Sequence, residues 1–355
     1  MSDKPRILTG DTPTGQLHLG HYVGSIENRL ALQDEYDCYF LLANMHAFTT
    51  RADRPEEIRR DTIEIVKDWL ACGIDPERST IVLQTECPAI AELSWYFAML
   101  IPFNRVMRNP TLKTEIDTKG LGDTYPFGFP MYAVGQCADI LAFRPELVPV
   151  GEDQVAHIEM CREVARRFDQ VYCGVDSQAE DGDYERLGGV FPIPAAKVGR
   201  IARLVGYDGK QKMSKSLDNA IYLSDSAKAI RKKVGQIYTG RQGMDEPGDV
   251  NNALFEYVRA FIRDEGRVAE LERRYSEGDD IGDGHVKQEV AEAIDALTAP
   301  IREKRAQYDR PGGEGVIIDV IKRGTERGNV VAEETLARAK KAMRIDFARR
   351  ELRLV

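Results

Sequence analysis

Short, continuous runs of apolar residues alternate with amphipathic stretches along the first half of the chain. Such runs predict strands that are covered on both faces, because these are apolar at every position rather than at alternate ones. The run at 37–47 has this character, and the shorter segments 4–10, 79–84 and 146–150 are predicted to be further strands. Residues 55–73 predict a helix, with Pro55 in its first turn and Gly73 after its end. The alternation predicts an α/β fold with a Rossmann-like, doubly wound parallel sheet, which binds ligands at the carboxyl ends of its strands.

The strand pattern stops near residue 218, and the rest of the chain has the periodicity of helices. The predicted helices cover 227–236, 251–263, 267–276, 287–309 and 331–352, with a polar, glycine-rich loop at 277–284. We therefore predict an α/β domain and then an all-α domain. Their expected limits are 1–220 and 221–330, followed by a C-terminal helix over 331–355 that packs back on the body.

Composition narrows the class of protein. The 355 residues carry a net charge of -9, and the six cysteines form no Cys-x-x-Cys pair. No apolar run follows the first four residues, and the most apolar stretch, 94–103, has about half the length needed to cross a bilayer. These features predict a cytoplasmic protein with reduced thiols, no zinc site and no membrane contact. An acidic balance still permits a local basic face, because phosphate contact depends on where cations cluster.

The first motif with candidate chemistry, TGDTPTGQLHLGHYVG, follows the first predicted strand. Its glycines and proline predict a tight turn before a helix that begins near His18, where free backbone N–H groups favour an anion. His18 and His21 share one face of such a helix and can donate to one phosphate. Gly20 leaves the backbone bare, so a flat ring can lie against it. The alternative is that the two histidines are capping or surface residues.

The second motif, GKQKMSKSL at 209–217, has three lysines within six residues, separated by serine and other small or polar side chains. This composition predicts a mobile cationic loop for an anion that binds and leaves. A solvated surface loop is the alternative. The order of the two motifs, one at a strand–helix turn and one at the end of the α/β region, favours phosphate binding.

HLGH and KMSKS resemble the two signatures of class I aminoacyl-tRNA synthetases. Over nearly its whole length the chain is similar to the bacterial tryptophanyl members, through the two motifs and through YDCYFLLANMHAFT, GQCADILAF, LVPVGEDQVAHIEMCREVARRF and AAKVGRI. The resemblance implies that L-tryptophan and ATP with Mg²⁺ give tryptophanyl-adenylate and pyrophosphate. The tryptophanyl group then passes to tRNA(Trp). It also implies a homodimer and anticodon recognition by the helical domain.

The resemblance implies the site residue by residue. Lys212 and Lys215 close over the β- and γ-phosphates, with His18 and His21 as further catalytic candidates. The implied ATP-binding residues are Thr12, Pro13, Thr14, Gly20, His21, Gly151, Glu152, Asp153, Ile201, Lys212, Met213, Ser214, Lys215 and Ser216. The implied tryptophan-binding residues are Asp139, which takes the indole, and Tyr132, Gln136, Gln154 and His46. No dedicated metal ligand is expected, since Mg²⁺ comes with ATP.

The chain departs from the family pattern at two places. Many bacterial members have TIGN where this chain has HLGH, which affects the donors to the phosphate. YAVGQCAD replaces the common Y-P-x-x-[MQ]-A-A-D ahead of Asp139, which affects the edge of the pocket.

Several alternatives remain open at this point. A lone Asp in an apolar helix is often a cap or a satisfied core group. The spacing of Tyr132, Gln136 and Asp139 also resembles tyrosyl-tRNA synthetases, because a phenol O–H satisfies a carboxylate as well as an indole N–H does. GEDQ followed by His157 favours tryptophan. A nucleotidyltransferase without tRNA is disfavoured by the long helical region, whereas a paralogue with a partner-binding role is harder to exclude.

Two surface features have a functional and a plain interpretation. Basic clusters at 228–233 and 338–350 are candidate tRNA contacts or solvated helical faces. The apolar segment 95–103 is a candidate subunit contact or part of the subunit's own core.

Overall fold

The computed structural model of the chain describes residues 4–118, 120–122, 124–198, 204–241, 243, 246–348 and 352, and for Asp153 and Ser216 it describes the backbone alone. Within these residues a sheet of five parallel strands forms the centre of the molecule. The strands are β1 (Arg6–Asp11), β2 (Asp37–Leu42), β3 (Ser79–Leu83), β4 (Leu147–Val150) and β5 (Ala195–Val198). Their spatial order is β3-β2-β1-β4-β5. The predicted doubly wound parallel sheet is confirmed.

The strand order reverses between β1 and β4, which are adjacent through Ile7 and Leu147. The Thr9 hydroxyl donates to the Pro149 carbonyl at 2.8 Å and ties the same two strands together. In an open parallel sheet the crevice outside the carboxyl ends at such a reversal is where ligands bind. The loops that follow β1 and β4 therefore define the place to look for a site.

Both faces of the sheet are covered, as the continuous apolar runs predict. In β2, Phe40 and Leu42 join a core that extends into the helices of the second half of the chain. Tyr39 and Leu41 point to the opposite face and join a second core, which includes Phe97. Successive side chains of a strand point to opposite faces, so only a strand buried on both sides is apolar throughout.

The helices around the sheet follow the strands in sequence. They are α1 (Leu19–His21), α2 (Glu27–Leu32), α3 (Asn44–Arg51), α4 (Pro55–Cys72), α5 (Pro88–Ala98), α6 (Phe103–Met107), α7 (Pro110–Thr118), α8 (Gly128–Leu141) and α9 (Val155–Phe168). A π-helical segment, Tyr22–Ile26, joins α1 to α2. Helix α4 has the predicted bounds, with Gly73 after it in the left-handed conformation at φ 110°.

One strand was predicted too long. The apolar run at 37–47 contains β2, which ends at Leu42, and the first turn of α3, so His46 lies on a helix. An apolar run does not distinguish a buried strand from the buried start of a helix, because both lack polar positions. Strand β5 and helices α5 to α8 were not predicted individually.

After Val198, the end of β5, the named elements of the described chain are helical. They are α10 (Ala227–Gly235), α11 (Ala253–Phe261), α12 (Glu265–Glu277), α13 (Asp283–Gln307) and α14 (Gly313–Ala342). Three of them begin at side-chain caps, in which Ser226, Asn252 and Asp264 accept a backbone N–H. The predicted helical region is confirmed. None of the described helices is long and apolar enough to cross a membrane.

The last helix begins at Gly313, well before the start predicted at residue 331, and it ends at Ala342. Its backbone lies directly on the sheet edge, since a Cβ on Gly324 would be 2.0 Å from the Ile81 carbonyl oxygen. The Leu83 N–H donates to the Thr325 hydroxyl oxygen at 3.0 Å. Helix α14 thus covers the open edge of β3. The glycines that permit this contact lower the intrinsic helix propensity and hide the helix from a sequence-based prediction.

Candidate active site

The loop between β1 and α1, residues 12–18, is held near its start by the last residue of α3, Arg51, and at its end by α4. Near its start, Arg51 donates to the Pro13 carbonyl and pairs with Asp61 at 2.7 Å. At its end, the Leu17 N–H donates to Asp68 Oδ2 at 2.6 Å. Asp61 and Asp68 are both buried and lie two turns apart on the face of α4 that meets the loop. The geometry of the loop is therefore fixed by side chains outside it.

The two histidines of the first motif lie against each other. His18 caps α1 and is buried, and its ring centroid is 3.7 Å from that of His21. The backbone N–H of His18 donates to His21 Nδ1 at 3.2 Å, so the proton of a neutral His21 is on Nε2. Burial, with the nearby lysine loop, lowers the pKa of His18 to about 2 and that of His21 to about 3. At neutral pH both are N–H donors rather than cations.

Gly20 makes a backbone contact between the two motifs. Its N–H donates to Met213 Sδ at 3.4 Å. A Cβ on Gly20 would lie 3.1 Å from the His18 ring and 3.6 Å from Met213 Cβ. The space beside Gly20 is thus filled in this conformation, and a nucleotide ring can lie against the glycine only if Met213 moves away.

Lys215 joins the second motif to the loop after β1. Its Nζ donates to the Thr14 carbonyl at 2.9 Å and to the Thr14 hydroxyl oxygen at 3.2 Å. Burial lowers the pKa of Lys215 to about 8, although the carboxylates of Asp61, Asp68 and Asp11 oppose that shift. This lysine therefore lies at the carboxyl end of β1, where the strand order predicts a ligand.

Asn219 fixes the base of the lysine loop. Its Oδ1 accepts the Ser214 N–H at 2.8 Å, and its Nδ2 donates to the Lys212 carbonyl at 3.3 Å. The Lys212 side chain is exposed, and Ser216 lies in a short 3₁₀ turn, Lys215–Leu217. The loop is docked through Met213 and Lys215.

The residues after β4 lie across the strand-order reversal from this loop. Gly151 is extended, and Glu152–Gln154 form a 3₁₀ turn that leads into α9. The Asp153 side chain and the whole of Ile201 lie outside the described residues, so their predicted contacts with ATP are not addressed by the structure.

Asp139, on α8, is the centre of a buried polar cluster. Its Oδ1 accepts a 2.7 Å hydrogen bond from Gln84, whereas its Oδ2 is 3.6 Å from His46 Nδ1, beyond hydrogen-bonding distance. Burial raises the pKa of Asp139 to about 8, and the Gln84 bond opposes that rise. Burial also lowers the pKa of His46 to about 4, so the imidazole is neutral at pH 7. The carboxyl group has one oxygen satisfied and no cationic partner among these neighbours.

Aromatic side chains form the wall of this cluster. The Tyr132 ring lies 5.8 Å from that of His46 and 5.7 Å from that of His157. Gly135 permits the close approach of His46, since a Cβ there would be 3.0 Å from the imidazole Nε2. Gln136 is half-buried on the same helix, and Gln154 is half-buried in the turn after β4. Three of the predicted amino-acid-binding residues, Asp139, His46 and Tyr132, are therefore brought together.

Comparison with known proteins identifies the family. The family described as tRNA synthetases class I (W and Y) matches residues 1–299. The chain is 42% identical over 352 residues to the tryptophan–tRNA ligase of Streptococcus pneumoniae serotype 4, covering 97% of this chain and 99% of the relative. It is 41% identical over 354 residues to that of Streptococcus pyogenes serotype M3, with the same coverage.

The chain belongs to the class I tRNA synthetases of the W and Y family.

A solved structure of the same family has the same architecture. The tryptophanyl-tRNA synthetase of Campylobacter jejuni, crystallised with ADP and tryptophan, is 29% identical to this chain. It aligns with a TM-score of 0.78 and covers 95% of this chain and 99% of its own. The chain is accordingly an aminoacyl-tRNA synthetase with a Rossmann-like sheet and a following helical region.

Several residues that the structure places in or beside the candidate site were not predicted from the sequence. Gln84 follows β3 directly, and a polar residue at the carboxyl end of a buried parallel strand was an available signal. Asp61 and Asp68 share the apolar face of α4 with Ile65, and an acid on such a face signals a buried partner. Gly135 gave no signal, because the approach of His46 depends on the tertiary fold.

Among the described residues, no group of three or more His, Cys, Asp or Glu side chains is placed to hold a metal ion.

Proposed function

We propose that the chain is a tryptophan–tRNA ligase. It activates L-tryptophan with ATP to give tryptophanyl-adenylate and pyrophosphate, and it then transfers the tryptophanyl group to tRNA(Trp). The observation that carries the activation step is the contact of Lys215 with Thr14, because it brings the lysine loop to the loop after β1 at the strand-order reversal. Phosphates bound there meet a cation and histidine N–H donors together.

The reaction needs no covalent nucleophile from the protein. The tryptophan carboxylate attacks the α-phosphate, and catalysis depends on positioning and on neutralising charge at the leaving pyrophosphate. Lys212 and Lys215 supply that charge, and the neutral imidazoles of His18 and His21 donate hydrogen bonds. We propose that ATP arrives with Mg²⁺ bound to its phosphates. The ADP in the Campylobacter jejuni relative supports a nucleotide substrate.

The remaining nucleotide contacts are proposed from motif positions. In the loop after β1 they are Thr12, Pro13 and Thr14, and Gly20 contributes from α1. Gly151, Glu152 and Asp153 contribute from the other side of the reversal, and Met213, Ser214, Ser216 and Ile201 from the lysine loop and the segment before it.

The amino acid is proposed to be tryptophan rather than tyrosine. The family description covers both, but the curated relatives with 42% and 41% identity are tryptophan–tRNA ligases. In the proposed complex Asp139 accepts the indole N–H through Oδ2, the oxygen that Gln84 leaves open. Tyr132 and His46 enclose the ring, with Gln136 and Gln154 at the edge of the pocket.

The macromolecular partners follow from the same proposal. The helical domain, residues 221–330, recognises the anticodon of tRNA(Trp), and the α/β domain, residues 1–220, carries the chemistry. The protein functions as a homodimer in the cytoplasm, where tRNA charging takes place. A role for the chain as a partner-binding paralogue without catalysis is disfavoured because His18, His21, Lys212 and Lys215 are all intact.

Pyrophosphate–ATP exchange measured with each of the twenty amino acids tests the proposal. Tryptophan should stimulate exchange far more than any other, and the same preparation should charge tRNA(Trp). Preference for tyrosine would overturn the specificity and leave the family unchanged. Absence of exchange with every amino acid, from a folded protein, would refute catalysis altogether.

A further inference from the structure

A buried ion pair connects the helical region to the loop that carries His18. Arg305, on α13, is 7% exposed, and its Nε donates to Asp68 Oδ1 at 2.6 Å. The other oxygen of Asp68 accepts the Leu17 N–H at 2.6 Å. Asp68 is completely buried and thus bridges a side chain of α13 to the backbone of the residue before His18.

The position of Asp68, and with it the hydrogen bond to Leu17, depends on Arg305. A fully buried carboxylate costs several kcal/mol unless a cation and hydrogen-bond donors compensate it. Arg305 is the compensating cation, and it also pairs with Glu64, so its planar fork spans two carboxylates of α4. Without Arg305, Asp68 loses its charge or rotates, and in either case its bond to Leu17 changes.

A second ion pair between α4 and the residues that follow α13 provides a contrast. Lys67, one residue before Asp68, pairs with Asp309, two residues after the end of α13, at 3.0 Å and with Glu64 at 2.9 Å. Neither partner belongs to the loop 12–18. Both ion pairs therefore attach α4 to the α13 region, but only the pair with Arg305 includes Asp68, which binds the Leu17 N–H.

We propose that Arg305 is a positioning residue for adenylate formation: it fixes Asp68, Asp68 fixes Leu17, and His18 is thereby held at the nucleotide site. Arg305 contacts no reacting group, so it acts only through the loop. The inference rests on the proposed function, because its kinetic readout is the activation of tryptophan. It also predicts a change in loop protection that is measured without any substrate.

The kinetic test compares Arg305→Met and Asp68→Asn with Lys67→Met as the matched control. At a temperature where all three are folded, both test variants should lower kcat for tryptophan-dependent exchange by about ten- to a hundredfold, since small displacements of catalytic groups have effects of this size. The tryptophan KM should change by less than about threefold. Lys67→Met should retain kcat within about twofold.

The double variant Arg305→Met/Asp68→Asn separates a shared path from independent effects. If Arg305 acts through Asp68, the double variant should lose no more activity than the worse single variant. The proposal would be overturned if the loss of kcat in the double variant equalled the product of the two single losses. It would also be overturned if Arg305→Met had a normal kcat and only a lower melting temperature.

Hydrogen exchange at the Leu17 amide is the second, substrate-free readout. Its rate should rise at least about tenfold in Arg305→Met and Asp68→Asn and stay unchanged in Lys67→Met. If Arg305→Met does not fold, Arg305→Lys replaces it, because a lysine keeps the charge but not the two-carboxylate fork. An unchanged rate of hydrogen exchange at the Leu17 amide in Arg305→Met and Asp68→Asn would refute the inference. If the variants show the expected hydrogen exchange but the wild type does not activate tryptophan, only the proposed function is refuted.

Discussion

At the scale of single residues, Asp139 is buried, and within the described part of the chain its carboxyl group accepts a hydrogen bond from Gln84. It is 3% exposed, its hydrogen bond comes from a neutral amide, and the neighbouring imidazole is 3.6 Å away. A buried acceptor of this kind discriminates strongly between ligands, because a ligand without a donor leaves the acceptor unpaired. In the proposed pocket, this is the property by which Asp139 would select tryptophan over phenylalanine.

Replacement of Asp139 should weaken tryptophan binding without affecting ATP. A hydrogen bond to a charged group contributes about 1.5–3 kcal/mol, so Asp139→Ala and Asp139→Asn should each raise the tryptophan KM by roughly ten- to a hundredfold. The nucleotide site is built from other segments, so ATP binding measured alone should be unchanged. Intact tryptophan activation in Asp139→Ala would mean that the carboxylate is structural.

The raised pKa of Asp139 predicts a pH dependence with a definite sign. The carboxyl is mostly protonated below about pH 8 in the free protein, and an indole N–H binds the ionised form best. The tryptophan Kd should therefore fall between pH 6 and 8, by at most about tenfold per pH unit, and level off above pH 8. Equilibrium dialysis without ATP measures this.

The control for this titration is Asp139→Asn, which cannot ionise and should bind with a nearly flat profile. The pKa of His46, lowered to about 4, keeps that ring neutral over the whole range. A dependence that persists in Asp139→Asn would assign the titration to another group.

Motif resemblance named residues that lie together in the structure, but it missed partners that come from elsewhere in the chain. Resemblance led to Asp139, His46 and Tyr132, which the structure places in one cluster. It gave no indication that Gln84 would bind Asp139 or that Asp68 would bind Leu17. Sequence periodicity tells which face of a helix is buried, but not which distant backbone group meets it.

At the scale of elements, the lysine loop lies against the loop that follows β1. It meets the first motif through Met213 and Lys215. In the proposed mechanism, Lys215 exchanges the Thr14 carbonyl and hydroxyl for phosphate oxygens when ATP binds.

Lys215→Ala should slow adenylate formation by roughly 10²- to 10³-fold, as loss of one transition-state donor does in other enzymes. Tryptophan binding should change much less, because Asp139 and its neighbours belong to other elements. Single-turnover formation of the adenylate gives the rate directly. A rate equal to that of the wild type would exclude Lys215 from the mechanism.

Helix α14 shows how tertiary contacts override local propensity. A Cβ on Gly324 would lie 2.0 Å from the Ile81 carbonyl oxygen, whereas one on Gly315 would meet nothing within 4 Å. Gly324→Ala should therefore destabilise the protein by about 1–3 kcal/mol or more through overpacking. Gly315→Ala, in the same helix, should stabilise it by about 0.5–1 kcal/mol. Urea unfolding of both variants tests the contrast, and equal effects would contradict the close contact.

The elements that could be predicted are those whose local signals agree with their packing. Helix α4 has Pro55, two acids in its first turn and Gly73 after its end, and its predicted and observed bounds coincide. In α14, glycines at positions that touch β3 argue locally against a helix. The apolar run around Ala43 carries no signal for the change from strand to helix. The information missing from the sequence is which surfaces meet.

At the scale of the whole molecule, α5 has one buried face, which packs toward α8, and one exposed apolar face. Phe97 is fully buried and packs in the same core as Ala133 and Val134 of α8. Trp95 and Met99 are 61% and 67% exposed, and Phe103 at the start of α6 is 60% exposed. The apolar segment 95–103 is thus only partly explained by burial within the subunit. Its exposed side chains fit the proposed contact with a second copy of the chain.

The last prediction concerns this contact. The free protein should sediment at micromolar concentration as a dimer, with twice the 39.9 kDa mass of one chain. Large aromatic side chains at the centre of an interface dominate its energy, so Trp95→Glu should raise the dimer Kd at least about a hundredfold. Val330→Glu is the matched control, because Val330 is 66% exposed on α14 and lies outside the apolar segment 95–103. Since α5 also packs on the helix that carries Asp139, dissociation should raise the tryptophan KM as well. A wild-type monomer at tens of micromolar that still charges tRNA(Trp) would contradict the dimer, and a dimer unaffected by Trp95→Glu would place the contact elsewhere.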